Sequence, residues 1–527
     1  MQTRGFGWRG ASDRLGAWNL YFAAKAALFA LGLIDLHLVE NLAFAALLFA
    51  MAAPRARPVR PWIGVPVAIA LLYYDSRLPG ISRAFSQAGL VASFSGSYLL
   101  ELAGRFFSWK VIAVLVVALA ATFAISRFIR MDVVVMAAMV VLVSTMRPDA
   151  PPSSTDVVVA MAPSTGGGPA PATPDARLAA FFQSEAKRNV SFPRPADGSP
   201  PFDVIFLHVC SLSWDDLEAT GLASHPLFAR FDIVLKRFNS VSTYSGPAVI
   251  RLLRGACGQP AHPALYNPAA PQCLLMPDLQ QAGLETQLAL NHDGHFDGFM
   301  DYVRGQGVSA TPVSLKGIEA PQRAFDDSRV YDDKAVLARW LQDRGRSPAR
   351  RVALYYNTLS LHDGNRLLTN PSVKSSTTYK ARLADLLDDL DKFMGELEAS
   401  GRRTVVVLVP EHGAALRGDS AQIAGLREVP TPAITLVPVA VRVIGPDVHR
   451  VGDAVVSDEE TSFLALSHIV AAMLARPPFS ADGFRAADYV AGMPVTPFVA
   501  EGENDVVMSA GKGYVARHER EGWKPLR

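Results

Sequence analysis

The hydrophobic pattern splits the chain into two regimes. Over the first 146 residues the apolar positions form continuous runs: roughly Gly16–Ile34, Leu36–Ala53, Pro61–Tyr74, Trp109–Arg127 and Met131–Met146. A helix needs about 20 mostly apolar residues to cross a bilayer, and the third and fifth runs are short by that measure. Arg4, Arg9 and Arg14 precede the first run. Arg55, Arg57 and Arg60 separate the second from the third, and Arg127 and Arg130 the fourth from the fifth. The connection around Asp35 has no Lys or Arg, and the longer one from Asp75 to Ser108 has only Arg77, Arg83 and Arg105. Basic residues mark the cytoplasmic side, so the pattern predicts five spans that start inside and deliver the rest of the chain outside. The first run is too long for a cleaved signal peptide, and further runs follow it. The mixed segment from Gly80 to Leu102 is expected to lie as a helix at the outer surface. Lys25 sits mid-span in the first run, where it either faces the bundle, snorkels, or meets a partner in the membrane.

From Arg147 to Asp175 the composition turns to Pro, Ser, Thr, Gly and Ala, and "PSTGGGPAPATP" reads as a flexible linker. The expected division is a transmembrane domain over 1–146, a linker over 147–175 and a catalytic α/β domain over 176–527. In that last part the period changes. "FDVIFLHV" (202–209), "ETQLALN" (285–291), "RVALYYN" (351–357), "RTVVVLVP" (403–410) and "VPVAVRVI" (437–444) read as buried strands. "KAVLARWLQDR" (334–344) and "YKARLADLLDDLDKFMGELEAS" (379–400) read as amphipathic helices between them. Such alternation predicts a parallel sheet with helices on both faces, and its chemistry collects beyond the carboxyl ends of the strands.

Composition agrees with a chain partly in lipid: charged residues make up 19%, and mean hydropathy is +0.18. The formal net charge of +2 and the lack of a basic stripe with interleaved aromatics give no case for nucleic acid.

Three of the expected strands lead into reactive residues: Cys210, His362 with Asp363, and Glu411-His412. Each alone is ordinary, since a cysteine after a strand is usually a small buried hydrophobe. Together, on one rim of a parallel sheet, they make a candidate site. Ser245 opens a helix whose apolar positions Val249, Ile250, Leu252, Leu253 and Ala256 keep helical spacing. A serine there is either an N-cap or a nucleophile at an anion-binding helix terminus. No G-x-S-x-G elbow signals a hydrolase triad. Thiolate, imidazole and carboxylate are good Zn²⁺ ligands, and Zn²⁺ favours a deprotonated oxygen, so Cys210, Glu411, His412 and Ser245 form a candidate four-coordinate site. Cys257 and Cys273 are then the disulfide pair, in keeping with an oxidising compartment outside the membrane.

The segments "CSLSWDD", "YSGPAVIRLLRGACGQ", "LHDGN" and "VPEHGAALRGD" resemble the BcsG family, the phosphoethanolamine transferases of bacterial cellulose-secretion systems. The resemblance covers essentially the whole chain. It implies a multi-pass protein of the bacterial inner membrane with an alkaline-phosphatase-like α/β/α catalytic domain in the periplasm. It also implies zinc dependence, phosphatidylethanolamine as donor and a glucose 6-hydroxyl of cellulose as acceptor. By the same resemblance Ser245 matches the nucleophile, and Cys210, Glu411 and His412 match the zinc ligands. Tyr244, His362 and Arg427 match further active-site residues, and His292 in "NHDGHFDGF" matches a family loop. His295 and Asp297 fall outside the pattern and are expected to be solvated turn residues. Cys210 stands where relatives acting on lipid A carry a carboxylate, and Ser245 where they carry a threonine, which favours cellulose as acceptor. Docking on the cellulose synthase complex is a further implication. Two alternatives stay open at this point. One is a phosphatase, sulfatase or transferase for another envelope substrate such as lipid A. The other is a scaffold subunit of the secretion complex with a vestigial site. Ethanolamine on isolated polysaccharide separates the first from the reading above, and an inert Ser245→Ala substitution would favour the second.

Overall fold

The structure, a computed structural model, describes residues 15–31, 33–76, 92–106, 109–125, 130–146, 173–446, 448–480, 482–518 and 522–526. The chain forms two compact units. One comprises Met1–Ala92 with Leu99–Ser153, the other Ser93–Tyr98 with Ser154–Arg527.

In the first unit each apolar run contains a helix: Trp18–Ala30, Leu38–Ala50, Arg60–Asp75, Trp109–Ile125 and Met131–Met146. Among the described residues, no helix is long and apolar enough to cross a membrane. Five helices stand where five spans were expected, and the first two, Trp18–Ala30 and Leu38–Ala50, are shorter than the runs that predicted them. The first two runs overstate helix length because they count apolar residues at the ends, such as Leu31 and Met51–Ala53, that fold as turns. Phe22, Phe44, Leu48 and Met139 are buried among these helices, while Trp62, Val117 and Val141 are exposed. Lys25 is fully buried, ion-paired with Asp75, and its Nζ donates to Asn41 Oδ1 at 2.7 Å. It therefore faces a partner inside its own unit. Of the expected surface helix from Gly80 to Leu102, residues 80–91 lie outside the described residues, and the observed helix is Gly96–Phe106. Residues 147–172 of the expected linker also lie outside them.

The second unit is built on a seven-stranded sheet. Its strands are β1 (Asp203–Val209), β2 (Ile233–Asn239), β3 (Glu285–Leu290), β4 (Val352–Thr358), β5 (Thr404–Pro410), β6 (Leu436–Ile444) and β7 (Val455–Ser457). Their spatial order is β7-β2-β6-β5-β1-β4-β3. β1 pairs in parallel with β4 and β5, and β3 with β4. β6 runs antiparallel to both β5 and β2, so the sheet is mixed rather than purely parallel. Two antiparallel pairings in succession restore the direction, so β2 points the same way as β5. The carboxyl ends of β1, β2, β3, β4 and β5 consequently share one rim.

Every residue of β1, β4 and β5 is buried, as expected for strands covered on both faces. Side chains alternate between two apolar layers. Val204 and Phe206 join the layer containing Val249, Leu252, Leu279, Phe299 and Leu466. Ile205 and Leu207 join the opposite layer with Trp340, Leu383, Leu387 and Phe393. The helices behind that second layer, Asp333–Arg346 and Ser375–Ala399, correspond to the two amphipathic segments of the sequence.

A second sheet of four antiparallel strands, Val499–Glu501, Asp505–Ala510, Gly513–His518 and Lys524–Leu526, ends the chain. Helix Pro174–Glu185 packs Leu178, Phe181 and Phe182 against it. Thr173 caps that helix by accepting from the Ala176 amide at 3.2 Å, and the helix starts at Pro174, two residues before the expected boundary at 176.

Candidate active site

The shared rim assembles the site. Cys210 follows β1 directly, and Glu411 and His412 follow β5. Parallel pairing of β1 with β5 sets Val209 opposite Pro410. The register therefore places the thiol beside the carboxylate and imidazole. Donor atoms of Cys210, Glu411 and His412 all lie within 4.8 Å of one another, and all three residues are buried.

Ser245 arrives from β2 through the loop 240–244. The N-cap of helix Ser245–Leu253 is Tyr244, not Ser245, and it makes no side-chain cap bond. The Ser245 hydroxyl is thus not spent on capping, and its Oγ lies 3.5 Å from Cys210 Sγ. The loop is strained on the way: Val241 is fully buried at φ 69°, a left-handed conformation that β-branched residues rarely adopt. It is held by Asn239 Oδ1, which accepts from the Val241 amide at 2.8 Å, and by the Glu501 amide, which donates to the Val241 carbonyl at 2.9 Å. Ser211 and Ala415, in the two loops that carry the thiol and the imidazole, also have positive φ, at 59° and 55°.

Asp216 joins those two loops. Its Oδ2 accepts from the Ser213 amide at 2.9 Å and the Ala414 amide at 2.7 Å. Gly413 lies where a Cβ would come within 2.6 Å of Ser213 Oγ, so only glycine passes there.

Comparisons with known proteins cover the stretch of chain that carries this site. A family model described as "Cellulose biosynthesis protein BcsG C-terminal domain" matches residues 162–523, and one for the BcsG N-terminal domain matches residues 18–144. The BcsG of Escherichia coli K12 is 40% identical over 531 residues, covering 95% of this chain and 93% of the relative. That of Salmonella typhimurium LT2 is 40% identical over 539 residues, covering 96% and 95%. The chain belongs to the BcsG family. Membership makes it an enzyme, a phosphotransferase. Among solved structures, an alkaline phosphatase superfamily protein from Vibrio parahaemolyticus aligns with a TM-score of 0.48 at 14% identity, over 67% of this chain and 91% of the other. The C-terminal periplasmic domain of EcEptC from Escherichia coli aligns with a TM-score of 0.43 at 14% identity, over 60% and 94%.

The BcsG-family site fits a metal cation by the chemistry of its donors. Glu411 Oε2 and His412 Nε2 are buried atoms without a hydrogen-bond partner, and both belong to the donor cluster. The tautomer of His412 agrees: its Nδ1 lies 2.9 Å from the Gly413 carbonyl, which can only accept, so the proton is on Nδ1 and Nε2 keeps its lone pair. Arg427 Nη1 approaches the same Nδ1 at 3.4 Å, but there two donors face each other and the shorter carbonyl bond decides. Burial pushes the Cys210 thiol up, and the Glu411 carboxylate adds to this. Burial likewise pushes Glu411 up and His412 down. A cation among these groups reverses that preference.

The other residues named from the BcsG resemblance fall around this core. Tyr244 Oη donates to Glu428 Oε1 at 2.7 Å, and the Arg427 guanidinium lies 5.6 Å from the centre of the Tyr244 ring. Arg427 Nη1 donates to Ser211 Oγ at 3.2 Å. His362 follows β4, with Nδ1 2.6 Å from the Asp363 carbonyl, so its Nε2 keeps the lone pair. Burial, with the Arg427 charge second, lowers its pKa to about 4. The buried guanidinium of Arg382 donates to the carbonyls of Ser360 at 2.6 Å and His362 at 3.3 Å, and so fixes this loop from behind. His295 and Asp297 are exposed, as expected of turn residues.

His292 is not at the donor cluster. Its Nδ1 accepts from the Gly294 amide at 3.1 Å, so Nε2 carries the proton and donates to Asn357 Oδ1 at 2.9 Å. Asn357 Nδ2 in turn donates to Glu411 Oε1 at 2.6 Å. Sequence reasoning missed Asn357, although "RVALYYN" placed it at a strand end on the active rim. Asp216, too, went unread beyond its place in "CSLSWDD".

Proposed function

We propose that this chain moves phosphoethanolamine from phosphatidylethanolamine to glucose 6-hydroxyls of cellulose through a covalent intermediate on Ser245. The observation that carries this reading is the Ser245 hydroxyl, 3.5 Å from Cys210 Sγ, at the first turn of a helix and beside the unpartnered Glu411 Oε2 and His412 Nε2. Cys210, Glu411 and His412 would hold Zn²⁺, whose positive charge favours the deprotonated serine hydroxyl.

Ser245 Oγ attacks phosphorus, the bond from phosphorus to the glycerol oxygen breaks, and diacylglycerol leaves with the serine's proton. The sugar hydroxyl then attacks the phosphoserine, the serine–phosphorus bond breaks, and Ser245 regains a proton. His362 Nε2 receives the proton of the incoming hydroxyl, because its lone pair is free and its imidazole is neutral near pH 7. Arg427 and the amides of the first helical turn after Ser245 hold the phosphate oxygens. Tyr244, next to Ser245 in the chain, sets its ring against Arg427.

The α/β/α layering supports the alkaline-phosphatase-like reading. The exposed apolar side chains of the N-terminal helices support an inner-membrane location. The Cys257–Cys273 disulfide supports a periplasmic catalytic domain. Association with the cellulose synthase complex belongs to the same reading, as does the division into a membrane domain over 1–146, a linker over 147–175 and a catalytic domain over 176–527.

The test is the intact mass of the full chain after incubation with phosphatidylethanolamine, with and without zinc, beside Ser245→Ala. The expected result is a zinc-dependent gain of one phosphoethanolamine that the alanine variant lacks. Normal turnover by Ser245→Ala would overturn the reading.

A further inference from the structure

The segment Ser93–Tyr98 belongs to the same compact unit as residues 154–527, although it lies in the chain between the third and fourth apolar runs. Within that unit it packs on the loop that carries His362. The Ser95 amide donates to the Phe325 carbonyl at 2.8 Å. Phe94, Tyr98 and Phe325 form one aromatic cluster, with ring centroids 5.1 Å apart for Phe94–Tyr98 and 5.3 Å apart for Phe94–Phe325. Phe325 lies with its centroid 4.7 Å from the His362 imidazole, so the cluster ends on the proposed proton carrier.

The polar end of Tyr98 is also placed. Tyr98 is 7% exposed, and its Oη donates to Asp363 Oδ2 at 2.9 Å. Asp363 is the residue whose own carbonyl holds the Nδ1 proton of His362. Gly364 completes the fit. At φ +83° it adopts a conformation other residues avoid, and a Cβ there would meet Phe325 Cβ at 2.7 Å and Tyr98 Cδ2 at 2.8 Å. The loop is thus shaped to receive the tyrosine ring.

We infer that Tyr98 is a positioning residue of the active site: through Asp363 it fixes the peptide that orients the His362 imidazole. This rests on the proposed role of His362. A residue supplied from the N-terminal half of the chain then completes the catalytic unit, and residues 154–527 alone do not hold the full site. A hydrogen bond that acts only through the orientation of a base affects turnover rather than donor binding.

The experiment uses the full chain in proteoliposomes containing phosphatidylethanolamine, with a soluble cello-oligosaccharide as acceptor. It compares Tyr98→Phe, Asp363→Ala, Asp363→Asn, His362→Ala and the double variant Tyr98→Phe with Asp363→Ala. The expected result is a kcat about tenfold lower for Tyr98→Phe, with the KM for the lipid donor, zinc content and Tm unchanged. Asp363→Ala should lose as much, and adding Tyr98→Phe to it should cost nothing more, the mark of two residues acting as one unit. Asp363→Asn, whose amide oxygen still accepts from Tyr98, should keep most of the turnover. Unchanged kcat in Tyr98→Phe, or an undiminished loss in the Asp363→Ala background, overturns the inference. Normal turnover by His362→Ala overturns instead the reading on which it rests.

Discussion

Asn357 Nδ2 donates to Glu411 Oε1 at 2.6 Å and leaves Glu411 Oε2 without a partner at the donor cluster. One oxygen of the carboxylate is held by the amide and the other faces the donor cluster, 3.8 Å from His412 Nε2, and His292 behind Asn357 fixes which way the amide points. Replacing Asn357 by Ala frees the carboxylate to rotate. Zinc affinity should fall about 10- to 100-fold, as for other residues that orient metal ligands. Titration of the chelator-treated full chain with zinc, read by activity and by metal content, checks this. Wild-type affinity in Asn357→Ala would show that Glu411 is oriented by something else.

Acid should weaken the fold through its buried imidazoles. Burial lowers His292 and His362 each from an ordinary pKa of 6.5 to about 4. Between those values the unfolded chain binds protons that the native chain refuses. The stability they contribute is whole above about pH 6.5 and is lost as pH falls through about 4. For His292, at 1% exposure, the effect is on the order of 3 kcal/mol. Urea unfolding at pH 7.5 and pH 4.5 should show the lower midpoint at pH 4.5, and His292→Gln should flatten the difference. Equal midpoints in the parent chain would sink the prediction.

Reducing agent should loosen the end of the nucleophile's helix. Cys257 and Cys273 are bonded across a sequence separation of 16, just past helix Ser245–Leu253. Loop-closure entropy for that length corresponds to about 3 kcal/mol of stability. A Cys257→Ala, Cys273→Ala double variant should melt several degrees lower than the parent, and reductant should lower the parent's Tm but not the variant's. Identical melting in all four conditions would mean the bond constrains a segment already rigid without it.

The sequence carried the parts of the site whose signal is local. Strand patterns in "FDVIFLHV", "RVALYYN" and "RTVVVLVP" put Cys210, His362 and Glu411-His412 on one rim, and that rim is observed. What was not legible depends on tertiary pairing. β2, "IVLKRFN", alternates too weakly to be read as a strand, with Lys236 exposed and Arg237 half-buried. β6 looks like its neighbours, and nothing local says that it runs the other way. Asn357 and Tyr98 were missed for a similar reason: a strand-end amide and a tyrosine between apolar runs acquire meaning only from Glu411 and Asp363, which are distant in the chain. In the first two N-terminal runs hydrophobicity showed where helices lie but not where they stop, because apolar turn residues look the same as apolar helical ones; the run Met131–Met146 matches its helix at both ends.

Residues 499–501, far along the chain from Ser245, hold the proposed nucleophile's loop. Asn239 Nδ2 donates to the Val499 carbonyl at 2.9 Å, Glu501 holds strained Val241, and Arg251 Nη2 donates to Glu501 Oε2 at 3.2 Å. Synthesis runs from the amino end, so residues 239–251 exist long before residues 499–501 can brace them. The loop before Ser245 gains its native support only after residues 499–501 have been made. A nascent chain interrupted before that point would carry every proposed zinc ligand and the serine, yet lack the clasp that sets them in place. The emergence of residues 499–501 thus acts as a timer on the appearance of activity.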